Sequence, residues 1–315
     1  MPLVSVIIPA WNAAAFIRYP IESCLRQSLA DLEVLVVDDA SGDATAEAAQ
    51  EAGGGDRRLR VLRMECNGGP ARARNHALEH AQGEFVAVLD ADDRMAPERL
   101  ERLLAVARAQ DCDIVFDNLL RCPAPDHEQG GEPHLPLDPL APARRLGLAE
   151  FALGNRMGAS DRALGYLQPV FRSAFLRANA LRYDVSLHIG EDYQLVAEAL
   201  ARGARLWLHP EALYYYWQRA GSLSKRPHVA HLAALIAVDA EFQARHDASF
   251  SAAERVAVRR RRRSLERLKA YLHTRELALQ GRYIAAAQAL ARDPAAAANL
   301  GPWLRQASRR LLRIG

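Results

Sequence analysis

Short apolar runs alternate with amphipathic segments along the first third of the chain. The runs at 3–8, 33–37, 59–63, 84–89 and 113–117 are rich in Val, Ile and Leu. They are apolar nearly throughout, not at every second position, which predicts strands buried on both faces, as in a parallel sheet. Between them, apolar residues recur at helical spacing over 13–29, 43–52, 70–81 and 97–109. Strands alternating with helices of this length imply βαβ units: an α/β fold with a mostly parallel central sheet flanked by helices.

The pattern then changes. Residues 123–142 are Pro-rich, contain Gly130-Gly131 and show no period, so an extended, flexible surface loop is expected. Over 144–225 the pattern is mixed, with a helix at 191–201 and short aromatic strands at 205–208 and 213–217. From 228 onward the chain reads as helical and Ala/Arg-rich. Ser251-Ala-Ala-Glu254 has the form of a capping box opening a helix to about residue 280. A last amphipathic segment, 300–314, gathers Leu300, Trp303, Leu304, Ala307, Leu311 and Ile314 near one face. Three segments are therefore expected: 1–117, 118–227 and a helical extension over 228–315.

Composition narrows the class. The 315 residues are 50% hydrophobic and 25% charged, enough for one large domain with an appendage. The four cysteines, Cys24, Cys66, Cys112 and Cys122, lack metal-site spacing and are too sparse for a disulfide framework, which fits a reducing cytosol. No apolar run reaches the ~18 residues of a membrane span, and no basic segment precedes the first strand. Net charge is +3 but unevenly spread: from Ser251 there are 15 Lys/Arg against 4 Asp/Glu, and before it 26 against 34. A basic tail suits an anionic partner, a membrane surface or nucleic acid. Five consecutive arginines, Arg259 to Arg263, point all round a helix without aromatic interleaving, so nucleic acid is not the expected partner. An anionic lipid surface suits the amphipathic last segment better.

The candidate chemistry lies at strand ends. The run at 84–89 leads straight into Asp90-Ala91-Asp92-Asp93, placing carboxylates at the mouth of the sheet, where open α/β sheets bind ligands. A hard divalent ion, Mg²⁺ or Mn²⁺, would join such carboxylates while keeping positions for substrate phosphates. The alternative is helix capping, since Pro97 and Glu98 follow. The first strand ends in Pro9-Ala10-Trp11-Asn12 and the second in Asp38-Asp39-Ala40-Ser41-Gly42-Asp43. An Asp at a strand end can accept the imide N–H of uracil, and an aromatic neighbour can cover the base. Asp38 or Asp39 could instead cap the following helix. No Gly-x-Gly-x-x-Gly follows the first strand and no P-loop is present, so phosphates must be met by a metal and side chains. Arg72 and Arg74 fall in the first turns of the helix opened by Pro70, where cations oppose the helix dipole. That cost makes sense if one of them meets an anion or a base edge. The alternative is a solvated face.

Val-Ser-Val-Ile-Ile-Pro-Ala-Trp-Asn, Val-Leu-Val-Val-Asp-Asp-Ala-Ser-Gly-Asp-Ala-Thr, Asn-Gly-Gly-Pro-Ala-Arg-Ala-Arg-Asn and Leu-Asp-Ala-Asp-Asp resemble, in order and spacing, the family-2 inverting glycosyltransferases of the GT-A fold. The resemblance covers roughly residues 3–225. It implies that Asp39 contacts uracil and that Pro9, Ala10, Trp11 and Asn12 lie along the nucleoside. It also implies that Arg72, Arg74 and Asn75 shape the donor pocket, and that Asp90 and Asp92 serve the ribose and a metal-bound diphosphate. Trp11 departs from the usual Tyr. Gly190-Glu191-Asp192-Tyr193 matches the family's Glu-Asp pair, which makes Asp192 the catalytic base, with Glu191 beside it. Phe116-Asp-Asn-Leu and Gly165-Tyr-Leu-Gln-Pro-Val-Phe-Arg look like the bacterial exopolysaccharide subgroup, including succinoglycan-type glucosyltransferases. The segment from Tyr214 to Ser224 resembles a family loop near the diphosphate.

The implied activity is transfer of a hexose, glucose-type, from a UDP-sugar to a glycan or lipid-linked acceptor, with Mn²⁺ or Mg²⁺. Residues 1–117 would bind the nucleotide-sugar and 118–227 the acceptor. The protein would be cytoplasmic, peripheral on the inner face of the plasma membrane through its basic helices, with a homodimer as a further possibility. A nucleotidyltransferase is the rival enzyme, though it usually opens with a Gly-rich basic loop that this chain lacks. A non-catalytic nucleotide-sugar-binding protein is the other alternative, and the Asp192 motif argues against it.

Overall fold

The computed structural model describes residues 2–125, 131–157, 162–218 and 228–292. The chain divides into two compact units, one of residues 1–151 with 164–222 and the other of 152–163 with 223–315.

The first unit is built on a ten-stranded sheet. Strands β1 (Val4–Ala10), β2 (Leu32–Asp38), β3 (Leu59–Arg63) and β4 (Phe85–Val88) are parallel, in the order β3-β2-β1-β4. A two-residue strand β5 (Arg94–Met95) and the long β6 (Ile114–Cys122) follow. The short β7 (Glu132–Pro133) pairs with β6, and β8 (Arg144–Leu146) pairs with β10. Strand β9 (Val170–Arg172) runs antiparallel between β4 and β6, and β10 (Leu206–Trp217) lies parallel to β6. Because β9 is reversed against both neighbours, β4 and β6 point the same way. The carboxyl ends of β1, β2, β4, β6 and β10 therefore share one edge.

Every residue of β2 and β4 is buried, as their nearly continuous apolar character predicts, whereas β3, at the end of the strand order, is only partly buried and departs from that expectation. Backbone packs close at Gly83, where an added Cβ would lie 2.5 Å from the Ser5 amide nitrogen. Gly83 N–H donates to Ser5 Oγ, which donates to Glu33 Oε1 at 2.6 Å, pinning β1, β2 and the approach to β4 together.

Helices α1 (Arg18–Leu25), α2 (Thr45–Gly53), α3 (Pro70–His80) and α4 (Arg99–Ala109) join the early strands. The first is shorter than the 13–29 its periodicity suggests. Ala13 and Ala14 donate their amides to Thr45 Oγ1 and Asp43 Oδ2 instead of to a helix. The chain after 131 is also more ordered than a Pro-rich loop implies, because Asn118 clamps Leu135 with both its amide oxygen and its amide nitrogen. The two aromatic strands expected at 205–217 are one strand. Pro210 falls where the β6–β10 register shifts, between His209 and Ala212, and a proline at such an irregularity need not end a strand. Helices α5 (Leu148–Gly154), α6 (Ser173–Ala178) and α7 (Glu191–Ala201) complete the described helices of this part of the chain.

The second unit contains α8 (Val229–His246), α9 (Ala252–Leu279) and α10 (Tyr283–Arg292). The capping box of α9 is present in both directions: Glu254 N–H donates to Ser251 Oγ, and Ser251 N–H donates to Glu254 Oε2. Of the five consecutive arginines, Arg261 is buried and paired with Asp239 of α8, while Arg259, Arg260 and Arg263 are exposed. The segment at 300–314 lies outside the described residues.

Candidate active site

Three loops at the carboxyl edge bring the sequence motifs together. After β2 the chain turns, and Ser41 N–H donates to Asp38 Oδ1 at 3.1 Å. Asn12 and Ala40 both adopt positive φ, 49° and 53°. Their loops interlock, since Asn12 N–H donates to Ser41 Oγ and Gly42 N–H donates to Asn12 Oδ1. Asp43, rather than Asp38 or Asp39, accepts from the start of α2 through Thr45 N–H. The capping alternative for Asp39 therefore has no support in the geometry.

Asp39 instead accepts from Gly68 N–H at 2.8 Å and Gly69 N–H at 2.7 Å, one amide on each carboxylate oxygen. Gly69 has φ 80°, a conformation that suits glycine and turns both amides toward the carboxylate. Burial raises the Asp39 pKa, and the two glycine amides oppose that rise. Pro9 and Ala10 form the last residues of β1, and Ala10 C=O accepts from Asp39 N–H at 2.8 Å. Trp11 is 54% exposed directly after them, a flat apolar surface beside Asp39's loop.

Arg74 is the hub of the site. Its guanidinium is buried and donates to Glu191 Oε1 at 2.6 Å and Asp90 Oδ1 at 2.8 Å, with Asp192 Oδ2 at 3.6 Å. This accounts for a cation in the first turns of α3: it answers carboxylates from β4's end and α7's start. Burial works against its charge, yet Asp192, Asp90 and Glu191 together raise its pKa well above the ordinary value. Arg72 is exposed and lies 3.9 Å from Cys66 Sγ. Asn75 faces the segment before α7, clamping Tyr183 through its backbone N–H and C=O, each at 2.8 Å.

Asp192 differs from its neighbours. Its Oδ1 is sealed from solvent and has no hydrogen-bond partner within the protein. Burial raises its pKa from 3.8 to about 7 against the pull of Arg74, with Glu191 and Asp90 adding to the rise. Glu191, by contrast, is committed to Arg74.

In Asp90-Ala91-Asp92-Asp93 the carboxylates have separate partners. Asp90 accepts from Arg74 on Oδ1 and from Gln168 Nε2 on Oδ2 at 2.9 Å. Asp93 is buried and accepts from Tyr214 Oη–H at 2.7 Å and Trp217 N–H at 2.9 Å. Tyr214 Oη in turn accepts from Asp90 N–H. Among the described residues no three His, Cys, Asp or Glu side chains form a closed metal cage. A Mg²⁺-type site does not require one, since it uses one or two carboxylates with waters and substrate phosphates. Asp92, half-buried and two residues after Asp90, supplies a carboxylate of the kind such a site uses.

Sequence reasoning assigned no role to Gln168, Tyr183, Arg99 or Asp117, although all four support the site. Arg99 and Asp117 form a fully buried bidentate pair at 3.0 and 2.8 Å. Arg99 also donates to Gln168 C=O and lies over the Tyr214 ring. The available signals were a charged residue in the apolar pattern of β6 and a glutamine before Pro169. The expected loop of residues 219–224 lies outside the described residues.

Comparison with known proteins fits this geometry. The family model for glycosyl transferase family 2 matches residues 5–160. The chain is 38% identical over 248 residues to the succinoglycan biosynthesis protein ExoO of Rhizobium meliloti (strain 1021), covering 78% of this chain and 69% of that one. It is 42% identical over 225 residues to ExoU of the same organism, covering 70% and 64%. The chain thus spans about two thirds of the length of these relatives. Among solved structures, S. aureus TarS 1-349 in complex with UDP-GlcNAc superposes with a TM-score of 0.64 at 22% identity, over 88% of this chain and 73% of that one. The mannosyltransferase PcManGT from Pyrobaculum calidifontis, in complex with GDP-Man and Mn²⁺, gives 0.60 at 20% identity, over 99% and 81%. At these identities the structures show a shared fold, GT-A.

Proposed function

The chain belongs to glycosyl transferase family 2, a family of glycosyltransferase enzymes, and from that premise we propose that it moves a glucose-type hexose from a UDP-sugar to a hydroxyl of a glycan or lipid-linked glycan. The observation that carries this reading is Asp192, a carboxylate with a pKa of about 7 and one oxygen without a protein partner, held beside the Arg74–Asp90 pair.

The reaction is a single displacement with inversion. The acceptor oxygen attacks the anomeric carbon while the Asp192 carboxylate takes its proton. The bond from that carbon to the diphosphate breaks on the opposite side, and its electron pair leaves with UDP. A base titrating near 7 is substantially ionised at neutral pH yet holds the proton it gains. Arg74 keeps Asp192 and Asp90 in place and balances their charge. Asp39 accepts the uracil imide N–H with lone pairs not used by Gly68 and Gly69, and Trp11 covers the base, with Pro9, Ala10 and Asn12 along the nucleoside. Arg72 reaches the donor from the exposed start of α3. A Mg²⁺ or Mn²⁺ ion on Asp92 would neutralise charge developing on the leaving diphosphate.

The succinoglycan names of ExoO and ExoU support a place in bacterial surface-polysaccharide synthesis. Residues 1–117 would then carry most of the donor contacts and 118–227 the acceptor. Exposed Arg259, Arg260 and Arg263 support a peripheral position on the anionic inner face of the plasma membrane, and no described helix is long and apolar enough to cross a membrane. The test is a thermal-stabilisation screen of UDP- and GDP-sugars with Mn²⁺ and with chelator. UDP-glucose should stabilise the protein only with metal. Stabilisation by GDP-sugars alone, or by none, would overturn the donor assignment.

A further inference from the structure

We propose that Gln168 binds a hydroxyl of the hexose being transferred, an inference that rests on the donor reading above. Gln168 stands between the 3₁₀ turn Leu164–Tyr166 and β9, and it is only 6% exposed. Its surroundings leave it little freedom. Its backbone C=O accepts from Arg99 Nη2 at 2.8 Å, and Arg99 is locked to Asp117. The next residue is tied into the sheet edge, with Pro169 C=O accepting from Val88 N–H.

The side-chain orientation follows from chemistry. Nε2 donates to Asp90 Oδ2 at 2.9 Å. Reversing the amide would set its oxygen against a carboxylate oxygen, which is repulsive, so the nitrogen faces Asp90. Oε1 is then an acceptor pointing elsewhere. It is buried and has no hydrogen-bond partner within the protein. A buried acceptor left unmatched is costly, so a bound group should donate to it.

The donor molecule offers few such groups. Ionised phosphate oxygens only accept. The uracil N–H is taken at Asp39, on β2, and three strand spacings of about 4.8 Å separate β2 from β9. Hydroxyls of ribose and of the hexose remain. Gln168 and Arg74 grip opposite oxygens of Asp90, and Arg74 reaches on to Asp192. The sugar whose anomeric carbon serves Asp192 therefore lies next to this arm, and its ring hydroxyls are the nearest donors to Gln168 Oε1. Gln168 thus acts on sugar affinity, distinct from Asp39 and Trp11, which act on the base.

The test uses the full-length protein with Mn²⁺ and calorimetric titration of UDP-glucose and of UDP. Gln168→Met should weaken UDP-glucose about 10-fold while UDP stays within about twofold. For the wild type, removing one hydroxyl at a time from the glucose of the donor should identify one position that costs about 10-fold. That deletion should cost nothing more in the Met variant. This wild-type series stands even if the variant fails to fold. Equal weakening of UDP and UDP-glucose would assign Gln168 to ribose or to Asp90 support and overturn the proposal. So would a change confined to acceptor KM, or indifference of the wild type to every deletion. Absence of UDP binding by the wild type would remove the donor reading itself. Normal UDP binding with an unaffected UDP-glucose Kd would remove only the role of Gln168.

Discussion

Replacing Asp192 by Asn should slow transfer and steady the fold in the same variant. The side chain keeps its shape, and Glu191 and Asp90 remain to balance Arg74. What disappears is a carboxylate that burial has raised from 3.8 to about 7. At about 1.4 kcal/mol for each pH unit, the folded protein disfavours the ionised form by up to roughly 4 kcal/mol. The side chain is 19% exposed, so solvent screening reduces this to about 1–3 kcal/mol. The sign follows from proton binding. The folded state holds the Asp192 proton more tightly than the unfolded chain, so ionisation destabilises the fold. The penalty is absent below about pH 4, grows toward pH 7 and is constant above it. Thermal unfolding should therefore show the Asp192→Asn variant gaining Tm over the wild type at pH 8 and little at pH 4.5. Under saturating donor and acceptor, transfer should fall by ~10²-fold or more, with UDP affinity unchanged. A mere helix-terminal carboxylate gives the opposite pattern: Asn would lose a few tenths of a kcal/mol of dipole interaction and turn over normally. A lower Tm with near wild-type transfer would refute the reasoning.

Further outcomes follow from the same contacts. Wild-type kcat/KM should rise with pH through a midpoint near 7 and then level off as Asp192 loses its proton, and a flat profile from pH 5.5 to 8.5 would dismiss it as the base. Arg74→Met leaves Glu191, Asp90 and Asp192 clustered without their counter-charge and should cost about 3–5 kcal/mol in urea unfolding, where a loss under about 1 kcal/mol would deny Arg74 its role as hub. In the helical unit, Arg261→Leu should cost a similar ~3–5 kcal/mol by stranding buried Asp239. Adding Asp239→Leu should recover most of it, and additive losses would contradict the pairing.

The early βα rhythm was legible because β1, β2 and β4 are covered on both faces and so write nearly continuous apolar runs, as in residues 34–37. The edge strand β3, by contrast, is only partly buried and carries Arg60 and Arg63. The capping box at Ser251 was legible because both halves of its exchange lie within four residues. Tertiary bonds were harder to see. α1 stops short of its periodic pattern because Thr45 and Asp43, some thirty residues away, take the amides of Ala13 and Ala14. β9 was missed because three residues carry no period. Within the site, the strand-end acids stood out as charges ending apolar runs, whereas Gln168 carries no charge and its importance lies in a bond to Asp90 across 78 residues of chain. The partner of Arg74 could be read only as an anion or a base edge. That it is the protein's own trio of carboxylates depends on α7 meeting β4's end.

The reversed strand β9 has a consequence for how the protein is made. Among the described strands, only the two-residue β5 separates β4 from β6 in sequence, yet β4 and β6 meet only through β9. As the chain leaves the ribosome, β3-β2-β1-β4 can assemble first, and β6 can fold after it. Each piece then presents an unpaired edge until residues 170–172 arrive to close the gap. Open edges of this kind invite pairing with other chains. A nascent or truncated chain ending before Val170 should therefore aggregate where the longer chain stays monodisperse, and substitutions at Phe171 should lower soluble yield more than they lower the turnover of the molecules that do fold.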